Sequence, residues 1–531
     1  MNKLLLTLAL LLSLPLYAQH VQPPKKTNHN GNLIYEIAIT CTDTVQQNKV
    51  IALVQQQIDQ NQWDIRLCHD VKTYPDAVFA LHEDSVSLQA ESCLYSEKFQ
   101  LRFAKEQVLN GVQSMKVKDC QDAALKISKY IKKTYYTGQR PTYSTVFENK
   151  KEGYVTYRIP SVLTLPTGRI LAITEARNAG RTDCAENDIV LKASDDDGQT
   201  WGKMVLMAES GKASLNNPTA VYVEELDRVI VLFQEYPPKT HEGLTQVGYK
   251  GKNITRTYQI YSDDHGETWS KKKDITKQFK QYEAKGYASG PGIGIRVTAG
   301  PDKGRILIPV NVSAGKKGWY NYLVASDDLG ESWHILPEGS EYGTNESQVV
   351  QLTETDFLIN ARCHRYENAE LEEPQGWNPW NFGEVTRFRA DIPVNIEGDN
   401  TMWYTTKIRR DMPDPLCQGA IYRYSGLQGK ERSRLLFVNA ASQLSYPTAK
   451  KGYNRMPPMR MNGTVRISYD NGKTWKYTKR IYGDRFTEFQ YAVLTRMSNG
   501  RIGCFFEAAP QMRFAVFDLN WLTSGEDKGK E

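Results

Sequence analysis

The sequence has little that points to metal, nucleic acid or membrane. Its 531 residues include only 8 Cys and 8 His, with no Cys-x-x-Cys or His-x-x-x-His spacing. A zinc site is therefore not expected, and no metal or other cofactor is implied. Basic residues number 67 and acidic residues 61, a net +6 diluted over a long chain. No Lys/Arg run accompanies that excess, so nucleic acid is not an expected partner. Long apolar runs are missing except at the N-terminus, where Lys3 precedes Leu4 to Leu12 and a small residue, Ala18, follows. This reads as a cleaved export signal over residues 1–18, because a spanning helix needs about 20 apolar residues. No Cys follows the cut, which argues against a lipoprotein anchor. The expected product is exported, periplasmic or secreted, with no membrane span.

What is present is ordinary for a folded chain: 40% hydrophobic, 24% charged and 11% aromatic residues. Wholesale disorder is excluded, and the length asks for more than one domain. Export permits disulfides. Cys41, Cys68, Cys93 and Cys120 lie in the first quarter, where four cysteines allow three connectivities. Cys184, Cys363, Cys417 and Cys504 read as small buried residues.

One pattern organises the chain from about residue 145. It is Ser-x-Asp-x-Gly-x-(Thr/Ser)-Trp, found at Ser194–Trp201, Ser262–Trp269, Ser326–Trp333 and Ser468–Trp475. The Trp positions step by 68, 64 and 142. Trp403 falls where an eroded copy would divide the last step into 70 and 72. Asp and Gly make a tight turn with φ > 0, with the Trp expected to pack beneath it. Flanking stretches such as Arg228–Phe233 have strand texture. Four strands per repeat of this length imply a β-propeller, and residues 145–522 hold about six units. Asp195-Asp196-Asp197-Gly198 also resembles the start of a calcium loop, but the acidic residue required at position 12 is absent.

Residues 28–140 lack the pattern. Tyr35–Thr40 alternates like a strand, while Val50, Ile51, Leu53, Val54 and Ile58 have helical spacing, as does a stretch near Ala123–Ile127. The expected fold is mainly β: a six-bladed propeller with a smaller N-terminal α+β accessory domain. That domain is either carbohydrate-binding or a structural docking unit.

The propeller segment opens with Thr156-Tyr157-Arg158-Ile159-Pro160. Together with the repeated Asp-Gly-Trp turns, this resembles the sialidase family of exo-glycosidases in its bacterial secreted form, over about seven-tenths of the chain. The resemblance implies sialylated glycans as partners: glycoproteins, glycolipids or oligosaccharides. Sialic acid carries a carboxylate on its anomeric carbon, and planar guanidinium groups suit such an anion better than ammonium does. The family's three arginines match Arg158, Arg362 and Arg460, the last with Arg455 and Arg466 as neighbours. Glu507 matches the glutamate that anchors the first. The family's nucleophile is a tyrosine, matched by Tyr491, and its activating base is matched by Glu346. A neutral phenol avoids the repulsion that a carboxylate nucleophile would meet, but its pKa near ~10 requires a base. The acid/base matches Asp183, with Glu186 and Asp188 as rival carboxylates. Arg177 resembles the arginine near the sugar O4, and Asn217 stands where many relatives carry Asp. Trp377 and Trp380 either line a rim or pack internally.

The resemblance implies hydrolysis of terminal α-linked sialic acid with retention. A trans-sialidase or intramolecular trans-sialidase would share the constellation. A non-catalytic lectin would lack the Tyr, Glu or Asp. The sequons at Asn253, Asn311, Asn345 and Asn462 read as coincidental, since two of them abut site residues.

Overall fold

The computed structural model describes residues 33–68, 76–82, 85–91, 114–314, 318–364, 388–427, 431–442 and 459–529. The export-signal segment, Cys93, Arg455, Trp377 and Trp380 lie outside the described residues.

The N-terminal domain is built on a sheet of β1 (Tyr35–Thr40), β2 (Ile65–Cys68), β3 (Ala77–Leu81), β4 (Ser85–Glu91) and β5 (Ser114–Lys116). Spatial order is β2-β1-β3-β4-β5, with β1 parallel to both β2 and β3. Two helices accompany it, α1 (Thr44–Asn61) and α2 (Cys120–Tyr136). Asp43 caps α1 by accepting from Val45 and Gln46 amides, and Val50, Val54 and Ile58 form its buried stripe. The alternation expected in β1 is not a wet-and-dry one. Glu36 is buried as well, because it bonds Arg66 and Arg485.

Six four- or five-stranded sheets follow, antiparallel but for a short parallel pair of Thr219–Ala220 with Gly292–Ile293, arranged as propeller blades. Their innermost strands begin at Thr156, Ser214, Tyr287, Thr344, Ala420 and Gln490, for blades I to VI. Blade VI takes its outermost strand from the beginning of the propeller: β6 (Thr142–Glu148) pairs with Gln511–Phe517. That closure removes the sheet edge that an open ring would expose. It also starts the propeller at Thr142, slightly ahead of the expected 145. At the other end packing continues past 522, since Asp527 pairs with the buried Arg434.

The four intact turns behave alike. In the first, Ser194 Oγ and Thr200 Oγ1 donate to Asp196 at 2.8 and 2.6 Å, and the Gly198 amide donates to Ser194 Oγ. The aspartate oxygens are thus taken up by donors of their own turn, which explains the Ser, Asp and Thr without an ion. In two of the four turns the Trp does more than pack beneath its turn. Trp201 Nε1 donates to Ser144 on β6, and Trp333 Nε1 to Gln259 in blade II. Each of these turns therefore staples its blade to the preceding one. Trp403 lies in the corresponding hairpin of blade IV, but on the last strand, Asn400–Trp403, after a two-residue turn at Gly398-Asp399.

Cys41 and Cys120 form no disulfide among the described residues. Cys363, Cys417 and Cys504 are buried, whereas Cys184 is only partly so, on the loop after the second strand of blade I. Asn311, Asn345 and Asn462 are buried and could not carry glycans.

Candidate functional site

The inner strands that deliver site residues share one irregularity. Strand register shifts at Arg158/Ser161, Asn216/Thr219, Thr344/Ser347 and Gln490/Ala492. Such bulges re-aim a side chain that regular pleating would point into the neighbouring blade. Ile159 and Asn217 sit at φ 61° and 57°, each followed by proline. Arg158, Asn217, Glu346 and Tyr491 lie at or within these four bulges. Arg177, Arg362 and Glu507 come from second strands of blades I, IV and VI. Arg460 precedes the third strand of blade V, where Met461 bridges Glu488.

Tyr491, Glu346 and the three arginines come together. The Tyr491 hydroxyl donates to Glu346 Oε1, and Arg362 Nη1 donates to Glu346 Oε2 at 2.9 Å. Arg158 and Arg460 place their guanidinium carbons 5.1 and 5.3 Å from the centre of the Tyr491 ring. Burial raises the phenol's pKa well above its ordinary value, and the Glu346 charge adds to that. Together they outweigh the three arginines, so the hydroxyl is neutral at ordinary pH. Arg158 is anchored by Glu507, whose Oε2 accepts from Nε at 3.0 Å while Oε1 accepts from the Ile159 amide at 2.9 Å. Burial works against the Glu507 charge, but Arg158, Arg181 and that amide hold it below the usual carboxylate range. Among the described residues, buried Arg158 Nη2 and Arg362 Nε have no hydrogen-bond partner. Buried donors of this kind are costly unless a ligand satisfies them.

Asp183 lies on the loop after the second strand of blade I, its Oδ1 3.0 Å from Arg177 Nη2. Burial opposes its charge, yet Arg177 and Arg158 hold its carboxyl below the ordinary range. The rivals are accounted for elsewhere. Asp188 is buried, accepting from Tyr154 Oη and the Ser210 amide, and Glu186 is an exposed turn residue at φ 55°. Arg466 Nη1 donates to Asn439 Oδ1 within blade V. The Asn217 backbone amide donates to Glu175 at 2.7 Å.

Sequence reasoning missed several residues. Glu175 is fully buried and holds Arg177 through Nε and Nη2 at 2.9 and 2.5 Å. Burial pushes its carboxyl up to about 7, against the pull of Arg177. Its signal was available: Glu175 and Arg177 sit two apart on one face of a strand. Gln418 of blade V bonds both the amide and carbonyl of Ala492, holding the Tyr491 bulge. His241 and Glu242 come from the excursion between the second and third strands of blade II. The Gly243 amide donates to His241 Nδ1, so Nε2 bears the hydrogen and lies 3.9 Å from Asp183 Oδ2. Glu242 accepts from Tyr236 Oη, and burial followed by the Asp183 and Glu346 charges pushes it up to about 7. No local pattern marks these two.

A BNR repeat-like domain matches residues 168–504. The chain is 28% identical over 385 residues to a sialidase of Micromonospora viridifaciens, covering 70% of this chain and 53% of that protein. It is 26% identical over 411 residues to an exo-alpha-sialidase of Aspergillus fumigatus, covering 70% and 86%. It thus spans about half the length of the first of these relatives. Among solved structures, the Hadza microbial sialidase Hz136 superposes with a TM-score of 0.59 at 21% identity, over 72% of this chain and 69% of that one. With the domain match extending over more than half its length and six blades closing one ring, the chain belongs to the BNR repeat-like family.

Proposed function

We propose that this protein is an exo-α-sialidase that hydrolyses terminal α-ketosidically linked sialic acid and retains configuration. The observation that carries the reading is a neutral buried tyrosine bonded to Glu346 and flanked by three arginines from three blades. Three guanidinium groups match one carboxylate, and the unpartnered donors of Arg158 and Arg362 are where it would bind.

The reaction then runs in two displacements. The Tyr491 oxygen attacks the anomeric carbon as its proton passes to Glu346. The bond to the leaving-group oxygen breaks, and that oxygen takes a proton from Asp183. Water next attacks the same carbon, giving its proton to Asp183, while the phenolate leaves and recovers its proton from Glu346. Asp183 must be protonated for the first step, although Arg177 and Arg158 favour its ionised form. Binding of an anionic sugar supplies the remedy, because its carboxylate neutralises Arg158 and raises Asp183.

The test is release of a fluorophore from an α-ketoside of sialic acid, with the product identified by mass. Free sialic acid is expected. An anhydro sugar would instead establish intramolecular transfer. No turnover by folded protein would overturn the hydrolase reading. The apolar run at residues 4–12 supports an exported protein, periplasmic or secreted. N-terminal sequencing of material from the native host, beginning near residue 19, would test that.

A further inference from the structure

The segment 480–489 is held from two sides. On one side stands the N-terminal domain. Arg480 Nη1 donates to the Ile34 carbonyl at 2.6 Å, and Nη2 is ion-paired with Asp76. Tyr35 Oη donates to the Arg480 carbonyl at 3.1 Å, and the Ile34 amide to the Gly483 carbonyl at 3.0 Å. Arg485 Nε donates to Glu36 at 3.0 Å. One apolar cluster runs through this contact, from Tyr35 and Ile127 to Val465, Ile481 and Trp521.

On the other side stands the site. Arg480 Nε donates to Asn462 Oδ1 at 3.0 Å, while Asn462 Nδ2 donates to the Ala441 carbonyl. Asn462 has φ 59°, a left-handed conformation that persists only where the surroundings over-determine it. It lies two residues after Arg460. The Phe489 amide donates to the Arg460 carbonyl at 3.2 Å, and Arg460 Nη1 donates to Gln490, next to Tyr491.

Arg480 thus spends Nη1 and Nη2 on the domain and Nε on the residue that sets the backbone beside Arg460. A guanidinium is a rigid planar fork, so the three directions are linked, as they would not be in lysine. Resting on the function proposed above, we infer that Asp76 of the N-terminal domain and Arg480 are positioning residues. Through Asn462 they aim Arg460 at the substrate carboxylate. The domain is then a permanent part of the catalytic unit rather than a tethered sugar-binding module.

The test uses the full chain and the fluorogenic sialoside. Asp76→Ala and Arg480→Lys are each expected to raise KM about tenfold with kcat changed far less, the signature of a misaimed binding group. Asp76→Asn, which keeps an acceptor, is expected to restore most of the affinity. Arg66→Gln removes the ion pairs to Glu36 and Asp484 at the same interface without touching Arg480, and its KM should stay at the wild-type value. In an Arg460→Lys background, Asp76→Ala should add nothing. Wild-type KM in folded Asp76→Ala or Arg480→Lys, an equal rise in Arg66→Gln, or additivity with Arg460→Lys would overturn the inference. If wild type itself has no turnover, the function proposal has failed first, and the two outcomes are distinct.

Discussion

Tyr491 and Glu346 meet across the ring: a phenol from blade VI donates its proton to a carboxylate oxygen of blade IV. Both side chains are almost wholly buried, at 5% and 9% exposure. The second oxygen of the same carboxylate is held by Arg362. A carboxylate so held has one oxygen on the phenol and the other on a guanidinium.

Glu346→Gln keeps the shape of this contact but cannot accept the proton as a carboxylate does. It is expected to lower kcat by about 10²–10⁴-fold. Tyr491→Phe should cost at least as much, with the melting temperature little changed because the ring still packs. Steady-state release of fluorophore measures both. Unimpaired turnover by folded Tyr491→Phe would remove the tyrosine from the mechanism.

Glu507 joins stability to ligand capture. Glu507→Ala leaves Arg158 buried without its partner, which is expected to cost about 3–5 kcal/mol of stability and to raise KM. The pH dependence has a definite sign. The folded pKa is depressed, so the contribution is present above the unfolded value of about 4.3 and is lost as pH falls through the lower folded value. Melting curves of wild type and variant should therefore approach each other in acid and separate above about pH 5.

Glu242 carries the opposite shift. Its carboxyl is raised to about 7, so it is neutral in mild acid and negative above that. An anion there opposes an anionic substrate. Wild-type kcat/KM should fall as pH rises through about 7, and Glu242→Gln should lose that limb. Coincident profiles from pH 5 to 8.5 would exclude Glu242 as its origin.

The hairpin turns within the blades differ in what they tolerate. At Gly198, φ is 78° and an added Cβ would lie 2.5 Å from the Phe514 ring of blade VI. Gly198→Ala is expected to destabilise by about 1–3 kcal/mol through overpacking, beyond the left-handed backbone cost of about 1–2 kcal/mol. At Gly398, φ is 59° and no atom lies within 4 Å, so Gly398→Ala should show the backbone cost alone. Chemical denaturation of the two variants compares them directly.

Much of the site was legible because its signals are local. Arg158 stands before an Ile-Pro pair and Asn217 before Pro218, the sequence marks of two of the bulges. The Ser-Asp-Gly-Trp turns closed on themselves with the hydrogen bonds their residue types require. Asp183 over Asp188, and Arg460 over Arg466, rest on the family resemblance; the structure adds that Asp188 and Arg466 are hydrogen-bonded within their own blades.

The sequence by itself determined the repeat, its period and the strand texture, because turn chemistry and side-chain alternation act over a few residues, while the candidate residues came with the family resemblance. Only the tertiary structure decided what those elements meet. It joined β6 to the last blade and sent the Trp201 and Trp333 indole nitrogens to the preceding blade. It also placed Asp76 against Arg480, 404 residues away in the chain. Such partners are selected by burial, where an unpaired charge is costly, and no spacing in a linear sequence encodes that.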